Sequence, residues 1–312
     1  GTIRSDGIAI VNTGTYNDIV PTIGTLTNSG LISGGLSAIA NSGVIGTLTN
    51  ESIISANVST GTLAQGIGNA GTIGTLTNAG TIEAAIPSSG SEAVGFENIG
   101  TIGLLTNTGL ITISSGYGGF GIINEATRHN PGTIDTITNT GTISVSAAGL
   151  GAGILNDERD AFLAVLSNKG MISVACSSDC NRAEETGIEN DGGTIGVLSN
   201  DGTIDVGKAI EQEWGIANYG SIHSLENAGI ISVFTTLAGS VSGTESSPPT
   251  VGGIYNGTGD RGGVIETISN GGLISVSASA DGAKVYGIDN VGVINDSISD
   301  PGAFSHGFIG TF

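Results

Sequence analysis

Isoleucine and leucine recur along this chain in a fixed relation to asparagine and glycine. The pattern I-x-x-L-x-N-x-G-x-I, with conservative swaps, appears nine times. It reads TIGTLTNSGLI from Thr22, VIGTLTNESII from Val44, TIGTLTNAGTI from Thr72, TIGLLTNTGLI from Thr101 and TIDTITNTGTI from Thr133. It continues as FLAVLSNKGMI from Phe162, TIGVLSNDGTI from Thr194, SIHSLENAGII from Ser221 and VIETISNGGLI from Val264. The first apolar position falls at Ile23, Ile45, Ile73, Ile102, Ile134, Leu163, Ile195, Ile222 and Ile265, and a closing isoleucine follows nine residues later each time, from Ile32 to Ile274. A second pattern, (G/A)-I-x-N, completes each unit and places Asn12, Asn41, Asn69, Asn98, Asn124, Asn156, Asn190, Asn218, Asn256 and Asn290. A degenerate unit, VINDSISDPGAF, closes the chain.

The repeat spacing runs from 22 to 43 residues, which marks a solenoid. Each unit holds three short pieces that alternate apolar and other residues, as in Leu198-Ser199-Asn200, Ile204-Asp205-Val206 and Ile188-Glu189-Asn190. Alternation at period two is the signature of a strand with one face inward. Three strands per repeat with glycine at the corners predict an all-β fold, a single-stranded parallel β-helix of about ten three-strand coils, running as one body over 1–312. Its interior is read by column. One column is Leu26, Leu48, Leu76, Leu105, Ile137, Leu166, Leu198, Leu225 and Ile268. Another is Gly34, Ala56, Ala84, Ile113, Val145, Val174, Val206, Val233 and Val276, which swells along the chain and predicts a cross-section widening toward the C-terminus. The asparagines are expected at corners, where an amide bonds backbone groups and its own kind one coil away. A leucine-rich repeat also carries L-x-x-L and Asn, but the spacing here differs and no helical pattern accompanies it.

Insertions are confined. The nine-residue block never varies, whereas the gap before the third strand varies from 5 to 21 residues. Loops are therefore expected along one edge, with a second set after the (G/A)-I-x-N piece. The longest, 234–252, reads as an extruded loop, and 175–187 as a cysteine-containing loop. Glycine accounts for 55 residues and proline for 6, which suits short strands and tight turns. The formal charge is −20, which argues against a nucleic-acid partner. Cys176 and Cys180 are too few for a zinc site and read as a local disulfide, hence an oxidising compartment. No leader opens the chain, no apolar run suits a membrane span, and Gly1 begins inside a repeat, so the chain reads as a fragment of something longer.

Chemistry is sparse in the pattern. Outward carboxylates such as Glu83, Asp205, Glu97, Glu189 and Asp289 fall several coils apart. His223, Glu226 and Glu266 are the nearest approach to a cluster; His129 and His306 fall in loop or terminal sequence. GTGDRGG near Asp260 is a single turn-like stretch without a calcium repeat's period. No G-x-S-x-G or H-E-x-x-H is present, so neither a catalytic site nor a cofactor is expected. Two outward features are candidates for binding. The first is a hydroxyl ladder, Thr27, Thr49, Thr77, Thr106, Thr138, Ser167, Ser199 and Ser269, interrupted by Glu226, with Thr25, Thr47, Thr75, Thr136 and Thr267 beside it. The second is a set of aromatics, Phe120, Trp214 and Tyr286, placed just before the third strand on the loop edge, where rings could stack on sugars.

Repeats such as TIGTLTNAGTI followed by G-I-x-N resemble the passenger regions of Gram-negative autotransporters, particularly the self-associating adhesins. The resemblance covers the whole chain and is carried by the structural repeat itself. It implies a right-handed β-helix secreted through an outer-membrane β-barrel and displayed on the bacterial surface. It also implies adhesion, autoaggregation or biofilm formation, through identical rods on neighbouring cells or through a host protein or glycan. Membrane attachment would come only through a C-terminal barrel, which this sequence lacks. A close cysteine pair is also seen in such passengers. The rival expectations are a β-helical carbohydrate-active enzyme, which would need carboxylates converging across adjacent coils, and a passive stalk.

Overall fold

The structure is a computed structural model that describes residues 1–14, 19–128, 130–177, 184–207, 212–235, 249–257, 262–279, 282–294 and 298–299. All the regular elements among them are strands, arranged in three parallel sheets of 11, 10 and 10 strands. The first sheet takes the I-x-x-L-x-N strands, from Thr22–Asn28 through Val264–Asn270, and ends with Val293–Ile294 and Ile298–Ser299. The second runs from Thr2–Ser5 to Leu273–Ala278, and the third from Ile8–Asn12 to Lys284–Asn290. Every third strand in sequence is a neighbour in space. The fold is the parallel β-helix of three-strand coils that the repeat predicts.

Register follows the sequence columns without a slip. Leu26 pairs with Leu48, Leu48 with Leu76, and the series reaches Ile268 through Leu225. Gly34 likewise opens a column that passes through Ala56 and Ala84 to Val276. Ile45, Leu48, Ile73, Leu76, Ile102 and Leu105 are all 0–1% exposed. Burying one such side chain is worth about 1.5–3 kcal/mol, so successive coils share one continuous apolar interior. At one coil the small residue of the small-to-large column is offset across the interior. Phe96, the largest wholly buried side chain, stands in the coil whose second strand carries Ala84, so volume is traded between strands.

Two bends shape the cross-section. In the first sheet Ile45 and Leu48 both face inward, and Gly46 and Thr47 face outward between them. Two consecutive outward residues make a convex corner. In the third sheet the order is reversed. Gly95 and Phe96 both lie inward, between outward Val94 and Glu97. The strand there caves in, and its outer surface becomes re-entrant. A glycine column occupies this bend at 66, 95, 121, 153, 187, 215 and 253. A Cβ on Gly187 would lie 2.2 Å from Ile204 Cγ2 and 2.5 Å from the Gly215 carbonyl, so the interior has no room for a side chain there.

The corners are tied by two asparagine ladders. Along the third sheet, Asn12 Nδ2 donates to Asn41 Oδ1, and so on to Asn290, at 2.7–2.8 Å per step. The first sheet repeats this from Asn28 to Asn270 at 2.7–2.8 Å. Most of these amides also donate to a backbone carbonyl, as Asn107 does to Thr142. The loop boundaries need correction. Phe234 and Thr235 continue a strand and Thr250–Asn256 begins the next, while 236–248 lie outside the described residues. Similarly Cys176 ends the strand Met171–Cys176, and Glu184–Gly187 already belong to Glu184–Asp191. In both cases in-register pairing carries the ladder further than the apolar pattern alone suggests.

Candidate functional site

Two outer faces carry the candidate residues. On the convex first sheet, Thr27, Thr49, Thr77, Thr106 and Thr138 are consecutive partners in register, continuing through Ser167, Ser199 and Glu226 to Ser269. Thr25, Thr47 and Thr75 form a second column, which passes through Leu104 to Thr136. The pairing brings all of these hydroxyls onto one face, exposed at the first strand and half-buried along the rest. Leu104, Val165 and Val197 interrupt the second column and are themselves exposed, at 37–38%.

The aromatic set sits differently from its expected place. Phe120, Trp214 and Tyr286 do share one column of the third sheet, but within the strands Gly118–Glu125, Gln212–Asn218 and Lys284–Asn290 rather than before them. Trp214 is 3% exposed and lies against Tyr255, with ring centroids 4.5 Å apart and planes 25° apart. Tyr219 meets the same ring edge-on at 5.4 Å. Trp214 is thus packed into the rod's surface, while Phe120 and Tyr286 stay half-buried. Tyr255 and Tyr219 were invisible as partners because each lies on a different coil or corner from Trp214.

The re-entrant groove of the third sheet gathers more than rings. Val94, Ile123, Ala152 and Leu155 form a separate apolar cluster on this outer face, with Leu63 and Phe120 packed against it. Gln65 donates to Glu97 across the groove. At that end the groove holds a cavity of about 160 Å³ lined by Ala40, Gln65, Gly68, Asn69 and Glu97. Carboxylates follow its length. Burial, then Glu92, raises Glu97 above the usual range, against the Gln65 hydrogen bond. Burial and then Glu97 raise Glu125. Burial, then Asp191 and Glu125, push Asp157 up to about 6. Burial, then Asp191 and Asp157, push Glu189 up to about 8, although its side chain keeps some water contact. Glu97 and Glu189 look isolated in sequence; the coil stacking assembles them with Glu125 and Asp157 into one acidic string.

A third feature lies inside the rod. Glu185 and Glu213 are register partners on inward positions, 0% and 1% exposed. Burial first, then Glu213, holds the Glu185 carboxyl well above its usual range. Glu185 fills the space over Gly151, where a Cβ would lie 1.9 Å from its Oε2. Sequence alone hides this pair, since each residue follows a variable loop and loses its inward phase. Elsewhere, His223 and Glu266 approach to 3.8 Å with side chains 53% and 48% exposed. That contact is a solvated surface pair of small energetic weight.

Cys176 is disulfide-bonded; its expected partner Cys180 lies outside the described residues, as do His129, His306 and Asp260. Among the described residues no group of three or more His, Cys, Asp or Glu is placed to hold a metal ion, and no helix is long and apolar enough to cross a membrane. No family model, curated protein or solved structure matches the chain. Its kinship is therefore stated at the level of architecture: a parallel β-helix whose coils repeat one polar face and one re-entrant face.

Proposed function

We propose that this β-helix is the passenger region of a secreted bacterial autotransporter and acts, without catalysis, as a cell-surface adhesin. It would join cells to one another or to a host-surface protein or glycan. The observation that supports this reading is the hydroxyl face of the first sheet, where Thr27, Thr49, Thr77, Thr106 and Thr138 repeat once per coil in strict register. Such a face offers many equivalent weak contacts instead of one deep pocket. Contacts of a few tenths of a kcal/mol become useful when many act together, because each after the first is effectively intramolecular. Two rods could also slide by whole coils, about 4.8 Å, and keep their contacts. The net charge of −20 limits unspecific clumping through repulsion, so association would depend on matched faces.

The test is an aggregation assay on bacteria that display the segment. Wild type is compared with a variant in which Thr27, Thr49, Thr77 and Thr106 are changed to Asp. The proposal expects wild-type cells to settle and the variant to stay dispersed, with equal surface levels of both. Equal settling would move adhesion away from this face. No settling and no binding to host cells by either would leave a passive stalk as the better account.

A further inference from the structure

The re-entrant face of the third sheet has a composition that a solvated sheet does not need. Its floor is apolar: Val94 and Ala152 are 2% and 0% exposed, and Ile123 and Leu155 are 8% and 9%. These side chains point away from the solenoid interior and form a cluster distinct from it. They converge because Gly95-Phe96 and its equivalents turn two successive residues inward, which tilts the flanking outward residues toward each other. Carboxylates line the same trough, from Glu97 through Glu125 and Asp157 to Glu189, and burial and mutual repulsion raise the affinity of each for protons.

We infer that this trough is a docking site for an extended, basic, amphipathic peptide segment of another protein. The segment lies along the rod axis, with apolar side chains on Phe120, Ile123 and Leu155 and cations on Glu97, Asp157 and Glu189. Charge complementarity selects this occupant. A second copy of the rod carries −20 charges and 8 basic residues in all, and its approach to an acidic trough is opposed. A nucleic acid is opposed more strongly. A glycan would want an open ring to stack on, and the Trp214 ring is covered. The dimensions fit a strand. Glu97 and Glu189 are three coils apart, roughly 14 Å, which about four or five extended residues span. Alternating side chains of such a segment would place one row over the Ile123–Leu155 floor, whose column Glu97 and Glu189 close at its two ends, and one row toward Asp157.

The inference goes beyond adhesion between rods and is tested on the isolated chain. Two acetylated eight-residue peptides, one alternating Lys with Leu and one alternating Lys with Ser, are titrated calorimetrically at physiological salt and pH 9, where Glu189, its pKa pushed up to about 8, carries its charge. The Lys/Leu peptide should bind at least about tenfold more tightly. Two variants separate a groove from general charge attraction. Leu155→Asp adds a negative charge on the floor, so simple attraction predicts tighter binding; the proposal expects binding to weaken by about tenfold or more. Glu189→Gln removes a charge at the end of the floor column and should weaken binding several-fold, and it serves alone if Leu155→Asp does not fold. Ser114→Asp, exposed on the second sheet, should leave affinity within about twofold. Equal binding of the two peptides, tighter binding by Leu155→Asp or no effect of Glu189→Gln would overturn the proposal.

Discussion

The most constrained positions in this rod carry no side chain. Gly187 lies where the third-sheet strand turns inward, against Ile204 Cγ2 and the Gly215 carbonyl. Backbone carbonyls held in a ladder cannot yield as a long side chain can, so Gly187→Ala should lower stability by about 1–3 kcal/mol. Gly24 is the counter-example: it lies on the convex corner with nothing within 4 Å of its would-be Cβ. Gly24→Ala should be neutral or slightly stabilising, since it also restricts the unfolded chain. Urea unfolding of both variants checks the pair, and equal losses would mean that glycine serves the turns generally rather than the inward bend. The asparagines show why such positions are legible in sequence. Each buried amide must meet a partner or cost about 1–3 kcal/mol, and stacking identical residues satisfies every coil with one solution. A residue type repeated at one phase therefore announced a ladder before any geometry was known.

At the level of the strand, Glu184–Asp191 concentrates the chain's least comfortable charges. Glu185 points inward beside Glu213, and Glu189 points into the groove near Asp157 and Asp191. A carboxyl whose pKa is higher in the fold than in the unfolded chain holds its proton better when folded. Its contribution is complete below the unfolded value and is lost as pH rises through the folded one. For Asp157 that window runs from the ordinary 3.8 to about 6, and for Glu189 from 4.5 to about 8. The rod should thus be more stable near pH 5 than near pH 8.5. Glu189→Gln should recover on the order of 2 kcal/mol at the higher pH and little at the lower, less than the full shift implies because the side chain keeps water contact. Urea midpoints across this range decide it, and a midpoint that rises with pH would contradict it. This strand also marks where sequence reading gave out. Glu185 and Glu213 follow variable insertions, so their inward phase could be counted only backward from Gly187-Ile188 and Gly215-Ile216. Read that way, the doublet Gly-Ile would have revealed both the inward bend and the trough outside it.

For the molecule as a whole, the consequence of the repeat is near-independence of distant coils. Each coil touches only the one before and the one after it, so stability is approximately a sum of coil terms and nearest-neighbour interfaces. Removing a full period should therefore leave a folded, shorter rod. Excision of 73–101 joins Thr72 to Ile102, restores the sequence T-I-G at the junction, and brings Asn50 opposite Asn107 and Asn69 opposite Asn124. It also removes Ala84 and Phe96 together, so the traded interior volume leaves as a unit. Excision of only 73–84 removes a partial coil, leaves inward residues out of phase with their neighbours, and should abolish cooperative folding. Circular dichroism and small-angle scattering distinguish these outcomes: the first variant should keep the β signal with a rod about 4.8 Å shorter, and the second should not. If both variants folded equally well, register between coils would not be what holds the rod. If neither folded, the coils would be coupled over longer distances than nearest neighbours, and the loops would have to be carrying contacts that the repeat does not encode.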